Sequence, residues 1–175
     1  KNLGVASARA GNVIGGGDWA ADRIIPDCIR AIIDSLPIKL RNPNATRPWQ
    51  HVLEPIYGYV TLGAYLYSDP EVFSGSWNFG PSTSEVRTVF EVANDIIKYI
   101  GQGSIEIDNE NKSIHEANLL QLNCDKAKQM LGWHSRWNAK KTISSTAKWY
   151  KVFIDGGDIE SITKEQINDL SLIHI

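Results

Sequence analysis

The stretch Ala8-Arg-Ala-Gly-Asn-Val-Ile-Gly-Gly-Gly-Asp-Trp-Ala-Ala-Asp-Arg-Ile-Ile-Pro26 decides the fold of this chain. It begins within a short apolar run, residues 3–9, which predicts a buried β-strand. The glycines that follow predict a flexible turn, because glycine adopts left-handed backbone conformations without steric cost. Residues 24–35 then have a helical pattern, with Pro26 in the first turn, where it is tolerated.

The remaining patterns alternate between strands and helices. Short strands are predicted at residues 37–41, 76–80, 105–107 and 119–123, with a loop at 42–48. Helices are predicted at 54–67, 89–100, 125–131 and 140–152, and a small terminal helix after a capping box at 163–166. Pro55 is expected at the first helical position, Asn123 is expected to cap a helix, and Gly101 and Gly132 are expected to end helices. This alternation predicts an α/β fold, in which five short strands form the remainder of a larger sheet beside a small lobe.

Composition limits the classes of partner. The chain has 175 residues and a net charge of −2, so no general attraction to nucleic acid or acidic membranes is expected. Its cysteines, Cys28 and Cys124, lack metal-ligand spacing and predict reduced thiols of a cytosolic protein. No signal peptide or membrane span is predicted. Because Lys1 opens a turn that leads into a strand, we expect the chain to be the C-terminal part of a longer protein.

The glycine-rich turn does not have the spacing of a dinucleotide-binding loop. That loop needs Gly-x-Gly-x-x-Gly directly after the first strand and an acidic residue about 20 positions later. Gly11 is instead followed by three adjacent glycines at 15–17. A complete cofactor site is therefore not predicted, and the turn shapes either a ligand pocket or a plain flexible connection.

Two polar residues flank this turn. Asn12 follows the first predicted strand, at the end of a sheet where α/β proteins bind ligands, and its amide can bond a phosphate or a sugar hydroxyl. Arg23 precedes a helix whose first N–H groups are unpaired, which favours an anion site. An asparagine that closes the turn and a solvated surface arginine are the alternatives. Together with Arg47, the pair favours a functional role.

A second segment, Arg47-Pro-Trp-Gln-His-Val52, is expected to be a loop that leads into a helix. An arginine there can contact a diphosphate with both arms of its guanidinium. Trp49 is expected in the core, whereas the role of His51 stays open. His115 and Glu116 either bind a ribose or a phosphate or form a surface pair, and His134 is expected to be structural.

Signatures of catalysis and of metal binding do not occur in the sequence. It contains no Gly-x-Ser-x-Gly elbow, no cysteine–histidine arrangement with an orienting group, and no lysine four residues after any tyrosine. The four histidines do not have metal-ligand spacing. No catalytic residue and no metal ligand is therefore assigned.

Five segments together resemble the C-terminal half of extended short-chain dehydrogenases/reductases that act on nucleotide sugars. The segments are Arg9-x-x-Asn12, Asp22-Arg-Ile-Ile-Pro26, Arg47-Pro-Trp-Gln-His-Val52, Trp77-Asn-Phe-Gly80 and Leu131-Gly-Trp133. The exact residues of three stretches, 9–19, 45–52 and His115-Glu-Ala, are distinctive of the branch that dehydrates CDP-glucose. The resemblance covers residues 1–170 and implies part of a Rossmann-like NAD(P)-binding protein, mostly its small mixed α/β substrate-binding lobe.

The resemblance implies a lyase of bacterial surface-polysaccharide synthesis, including lipopolysaccharide O-antigen. In this family, bound NAD takes a hydride from sugar C4, water leaves across C5 and C6, and the hydride returns to C6. A CDP-sugar substrate, a cytoplasmic location and a homodimeric full-length enzyme are implied. The family's Gly-x-x-Gly-x-x-Gly loop and Tyr-x-x-x-Lys pair do not occur here. We therefore expect this chain alone neither to hold NAD tightly nor to turn over, and we expect the strand at 3–9 to have a bare edge.

The resemblance also implies roles for individual residues and for regions of the chain. Substrate binding is implied for residues on the diphosphate, the base and the nucleotide: Asn12, Arg23, Lys39, Leu40, Arg41, Arg47, His115 and Glu116. The nicotinamide end of the cofactor is expected beside Ala10 and Gly11. Residues 3–14 and 51–80 are expected to belong to the cofactor domain, 15–50 and 81–151 to the substrate lobe, and 152–175 to a C-terminal helix and tail.

Overall fold

The computed structural model describes residues 3–82, 86–108 and 122–172, and this part of the chain contains seven strands and seven helices. The strands are β1 (Ala6–Ala10), β2 (Asn12–Ile14), β3 (Ile38–Leu40), β4 (Thr46–His51), β5 (Gly75–Phe79), β6 (Val86–Thr88) and β7 (Ile105–Ile107). The helices are α1 (Ile24–Ile33), α2 (Leu53–Ser68), α3 (Pro70–Phe73), α4 (Val89–Ile100), α5 (Asp125–Leu131), α6 (Ala139–Ile154) and α7 (Ile159–Leu172). The predicted mixed α/β class is confirmed.

The strands form three small sheets. β1 pairs in parallel with β5, and β3 pairs in parallel with β7. In the third sheet the central strand β4 runs parallel to β2 and antiparallel to β6. Because β1 and β2 follow each other directly but belong to different sheets, the chain at Gly11 passes from one sheet to the next. The start of the glycine-rich segment therefore lies at the junction between the β1–β5 sheet and the β2–β4–β6 sheet.

Two hydrophobic clusters hold these sheets and helices together. The larger one contains the buried faces of α1, α4 and α6, with Trp49 and the β3 side chains between them. The smaller one surrounds Trp77, Phe79 and Trp133, where α2 and α5 cover the sheet of β1 and β5. Trp49 is 7% exposed, which confirms its predicted place in the core. Cys28 and Cys124 are buried free thiols, as predicted.

Several helix boundaries follow the predicted signals. At the start of α4, Thr88 and Glu91 form a reciprocal capping box that was not predicted. Gly101 and Gly132 end α4 and α5 in the left-handed conformation, with φ angles of 90° and 64°. The Asn123 side chain accepts a hydrogen bond from the Asp125 N–H at 2.8 Å, although the helix cap itself is the next residue, Cys124.

Other local predictions are wrong. The loop predicted at residues 42–48 ends early, because residues 46–51 are the central strand β4 and gain partners on both sides. Pro55 is not the first residue of α2, which begins at Leu53. The predicted capping box at Thr163 lies inside α7, where the Thr163 hydroxyl donates to the Ile159 carbonyl. The predicted strand at 119–123 falls mostly outside the described residues, and its described part, 122–123, is not a strand.

Strand β1 overlaps the predicted strand but begins only at Ala6, and it is not buried. In the described part of the chain it pairs along one edge only, with β5, and three of its five residues are exposed. Leu3 and Val5, just before the strand, are 87% and 66% exposed. The pattern-based prediction of burial is therefore wrong, whereas the expected bare edge is present. Across the described ranges, no helix combines the length and the apolar character needed to cross a membrane.

Candidate functional site

A cavity of about 770 Å³ lies where the glycine-rich turn, the start of α1 and the ends of β3 and β4 meet. Its volume falls in the range of roughly 300–1,000 Å³ that small-molecule sites occupy. Apolar walls come from Ile14, Ile25, Leu40, Trp49 and Val89. The charged groups on the wall are Asp18, Asp22, Asp27, Arg23, Arg41 and Arg47. The cavity therefore combines a hydrophobic base with a highly charged rim.

Two arginines at the rim are held by carboxylates of the turn before α1. Arg23 Nη1 lies 3.0 Å from Asp18 Oδ2, and Arg41 Nη2 lies 3.0 Å from Asp22 Oδ1. The side chains of Arg23 and Arg41 are 63% and 55% exposed, so both pairs are in contact with solvent. Such pairs contribute little to stability. Their main effect is to fix where the two guanidinium groups lie.

Arg47 occupies a different setting, on the central strand β4. It is 9% exposed, and its Nη1 donates a hydrogen bond to the Thr46 carbonyl at 2.8 Å. Its direct cross-strand neighbour on β6 is a second arginine, Arg87, which lies 3.9 Å from Glu91. A largely buried guanidinium on a cavity wall is a strong donor to an anionic group. Arg47 is thus the most buried of the three cavity arginines.

The glycine-rich turn is shaped by the C-terminal helices. Gly16 lies so close to the Trp149 ring that any side chain there would overlap it. Trp149 Nε1 donates to Thr163 Oγ1 at 3.0 Å, which links the ring to α7. Gly17 has a φ of 81°, a conformation that glycine adopts without strain. The turn is therefore packed on protein and does not form an open phosphate-binding loop.

The segment between the turn and α1 is anchored twice. The Tyr150 hydroxyl donates to the Asp18 carbonyl at 2.6 Å. Arg30 of α1 donates to the carbonyls of Trp19 and Ala20, at 2.9 and 3.3 Å. Burial raises the pKa of Tyr150 to about 12, with a further contribution from the nearby Asp18 charge, so the phenol stays a donor at neutral pH. These contacts fix the backbone that carries both carboxylates.

A buried polar group lies behind β4, outside the cavity. Glu54 is fully buried, and its Oε1 accepts hydrogen bonds from the backbone N–H groups of Arg136 and Trp137 at 2.8 and 2.6 Å. Burial raises the pKa of the Glu54 carboxyl despite these bonds. His51 is 1% exposed, and burial, helped by the charge of Lys141, lowers its pKa to about 4. His51 is therefore a buried ring outside the cavity lining, and its Nδ1 accepts a hydrogen bond from the Leu53 N–H at 3.4 Å.

Most of the predicted site residues that the structure describes meet at the cavity. Gly11, Asn12, Arg23, Leu40, Arg41 and Arg47 all line it. Asn12 does so as the first residue of β2, paired with Trp49, and not as a residue that closes a turn. Lys39 points away because it alternates with Leu40 along β3 and is exposed. Ala10 pairs with Phe79 at the end of β1 and does not reach the cavity.

Two predicted site residues lie outside the described part of the chain, and four residues that shape the site were not predicted. His115 and Glu116 lie outside the described residues, so their predicted role stays a prediction. Sequence reasoning missed Asp18 and Asp22 as partners of the rim arginines, although acids beside a predicted arginine site were a visible signal. It also missed Trp149 and Tyr150, since no local pattern links α6 to a turn more than 130 positions earlier.

The described residues do not form a complete site for NAD. The glycine turn that could have held a pyrophosphate is packed against Trp149, and of the two predicted nicotinamide neighbours only Gly11 lines the cavity. No cluster of three or more histidine, cysteine or acidic side chains in the described ranges is placed to hold a metal ion. The arrangement suits recognition of an anionic ligand.

Solved structures show which class of fold this is. The chain superposes on dTDP-glucose 4,6-dehydratase from Bacillus anthracis in complex with NAD with a TM-score of 0.66 and 18% identity, over 87% of this chain and 46% of that one. UDP-glucuronic acid 4-epimerase from Bacillus cereus, solved with UDP-glucuronic acid and NAD, gives 0.68 and 16%, over 83% and 45%. The fold is therefore that of part of an extended short-chain dehydrogenase/reductase, as the resemblance implied.

The sequence comparison points to one branch of that class. The chain is 45% identical over 168 residues to CDP-glucose 4,6-dehydratase of Salmonella typhimurium, which confirms the predicted resemblance to this enzyme. The match covers 95% of the chain but 46% of the relative, so the chain spans about half the length of the enzyme it resembles. No family model matches the sequence.

Proposed function

We propose that this chain is the nucleotide-sugar-binding part of an NAD-dependent CDP-glucose 4,6-dehydratase. The observation that carries the proposal is the meeting of Asn12, Arg23 and Arg47 in one cavity. The resemblance had assigned these three residues to the substrate diphosphate. Similarity at 45% identity to an enzyme that acts on CDP-glucose supports the choice of nucleotide.

Each group of cavity residues has a distinct role in this proposal. Arg47 and Arg23 bind the two phosphates, and the Asn12 amide donates to a phosphate or sugar oxygen. Leu40 and Arg41, at the end of β3, contact the cytosine end of the ligand. His115 and Glu116 belong to the nucleotide contact in the same proposal. The apolar wall around Trp49 and Ile14 excludes water from the reacting end, where electrostatic contacts are stronger.

The chemistry itself is assigned to the rest of the full-length protein. The family's dinucleotide loop and Tyr-x-x-x-Lys pair do not occur in this sequence, so the cofactor loop and the acid and base for the loss of water are assigned to the remainder of the full-length protein. Gly11 is the point at which the sugar end of the cavity would reach the nicotinamide. We further propose that the full-length enzyme is a cytoplasmic homodimer, without nucleic-acid or membrane partners, that supplies deoxysugars for bacterial O-antigen.

The full-length protein tests the proposal directly. Incubated with CDP-glucose and NAD, it should produce CDP-4-dehydro-6-deoxyglucose, which is detected by the absorbance that the 4-keto sugar develops in alkali. dTDP-glucose and UDP-glucose under the same conditions are the matched controls. Formation of a C4 epimer would instead indicate an epimerase, and binding without any product would indicate a module that only recognises the nucleotide sugar.

A further inference from the structure

Two carboxylates, those of Asp18 and Asp22, lie at the cavity rim directly beside the arginines that they pair with. Asp18 Oδ2 lies 3.0 Å from Arg23, and Asp18 Oδ1 also accepts a hydrogen bond from the Ala20 N–H at 3.0 Å. Each ion pair engages one terminal nitrogen of its guanidinium, Nη1 of Arg23 and Nη2 of Arg41. A ligand phosphate that contacts either arginine must therefore approach a carboxylate as well.

The backbone at each of these two carboxylates is constrained. The Asp18 carbonyl is held by the Tyr150 hydroxyl at 2.6 Å, and its side chain is only 30% exposed. Asp22 adopts a left-handed backbone conformation with a φ of 61°, which aspartate tolerates better than most residues. This backbone places the Asp22 carboxylate beside Arg41, although the Asp22 side chain is 79% exposed. Asp18 is therefore the more firmly held of the two negative charges at the rim.

The described charged residues of the cavity wall are nearly balanced. Three carboxylates, Asp18, Asp22 and Asp27, face three guanidinium groups, those of Arg23, Arg41 and Arg47. Asp27 is itself paired with Arg30, which does not line the cavity, so Asp18 and Asp22 oppose three arginines and one positive charge is left over. A rim of this kind stabilises a modestly charged ligand and disfavours one with further negative charge.

We propose that Asp18 and Asp22 select the charge of the ligand, so that a nucleoside diphosphate sugar is accepted and nucleotides with a terminal phosphate are disfavoured. This inference rests on the proposed function. A nucleoside diphosphate sugar carries about two negative charges, because both phosphates are esterified. A free terminal phosphate has a second pKa near 6 and adds about one more charge above that pH. The carboxylates repel this additional charge, and the rim arginines Arg23 and Arg41, which would offset it, are already paired with them.

The test compares ligands of increasing charge on the full-length protein. Calorimetric titrations at pH 8, low ionic strength and without divalent metal would use CDP-glucose, CDP and CTP. Asp18→Asn and Asp22→Asn remove one charge each without changing side-chain size. Asp125→Asn, on α5 and outside the cavity, is the matched control for the same chemical change.

The expected result is a graded one. The factor by which each cavity variant binds a ligand more tightly than the wild type should grow roughly twofold with each additional ligand charge. This factor should therefore be smallest for CDP-glucose and largest for CTP. The gain should shrink in high salt, and Asp125→Asn should leave all three affinities unchanged. If CDP-glucose binds but the three affinities change by one common factor, the charge-selection proposal is overturned while the proposed function stands. If the wild-type protein does not bind CDP-glucose, both are overturned.

Discussion

The hydroxyl of Tyr150 donates a hydrogen bond to the backbone carbonyl of Asp18 at 2.6 Å, across 132 positions of sequence. This bond joins helix α6 to the rim of the cavity. Because the Asp18 side chain in turn holds Arg23, the position of a proposed ligand-binding arginine depends on a residue that is itself distant from the ligand. The geometry of the cavity rim therefore depends on how helix α6 packs in the larger hydrophobic cluster.

Removal of the Tyr150 hydroxyl should make the cavity rim less rigid, while the aromatic ring still fills its place in the hydrophobic core. Tyr150→Phe is expected to lower the free energy of unfolding by about 1 kcal/mol, the usual net contribution of one hydrogen bond. It should also weaken CDP-glucose binding, because Asp18 and Arg23 lose their anchor. Urea denaturation and calorimetry measure the two effects. Tyr67→Phe, at a 93% exposed position, is the control, and equal behaviour of the two variants would contradict this role for Tyr150.

Because Gly16 lies against the Trp149 ring, the addition of one methyl group at position 16 should have a large effect on stability. Gly16→Ala is expected to displace the Trp149 ring and to destabilise the fold by about 1–3 kcal/mol, as overpacked positions do. Thermal denaturation and tryptophan fluorescence measure these changes. Gly63→Ala is the matched control, since an added Cβ there meets no atom within 4 Å and lies in helix α2. Unchanged fluorescence and stability in Gly16→Ala would show that the turn does not pack on Trp149.

The buried ring of His51 predicts a loss of stability in acid. Its pKa is lowered from 6.5 to about 4 in the folded protein, so the unfolded chain binds the proton more readily between these values. Stability from this residue is full above pH 6.5 and is lost as the pH falls towards 4, by about 3 kcal/mol in total. The raised pKa of Glu54 acts in the opposite direction, because a folded-state carboxyl that prefers its proton gains stability as the pH falls.

A variant separates these two opposing contributions. His51→Asn keeps an acceptor near the Leu53 N–H but cannot titrate, so its stability should fall less than that of the wild type between pH 7 and pH 4.5. Guanidinium denaturation across this pH range gives the comparison. His134→Asn, at an exposed position, should follow the wild-type curve. Parallel curves for His51→Asn and wild type would mean that the ring titrates normally.

Arg47 is expected to contribute more to binding than either rim arginine. Arg47→Ala should weaken CDP-glucose binding by about 1.5–3 kcal/mol, the range for a hydrogen bond to a charged group. Arg47→Lys keeps the charge but not the two-armed geometry, and should recover only part of the loss. Arg9→Ala, at an exposed position on β1, serves as the control. Circular dichroism checks that each variant is folded, and an unchanged affinity in folded Arg47→Ala would remove Arg47 from the site.

The sequence predicted the α/β class and most helices, and its patterns at Asn12, Arg23 and Arg47 pointed to residues that line the cavity. Asn12 and Arg23 were recoverable because strand ends and helix starts are local signals. Strand β4 was missed because Pro48 and its neighbours resemble a loop until β2 and β6 pair with them. The anchoring of Asp18 by Tyr150 could not be predicted, since it depends on how α6 packs on the turn.

The most direct measurement of the central claim is calorimetric titration of the full-length protein with CDP-glucose, UDP-glucose and dTDP-glucose. If the cavity at Arg47 is the nucleotide-sugar site of a CDP-glucose enzyme, CDP-glucose should bind most tightly and should compete with CDP for a single site. Equal affinity for the three sugars, or no binding of CDP-glucose, would contradict the account.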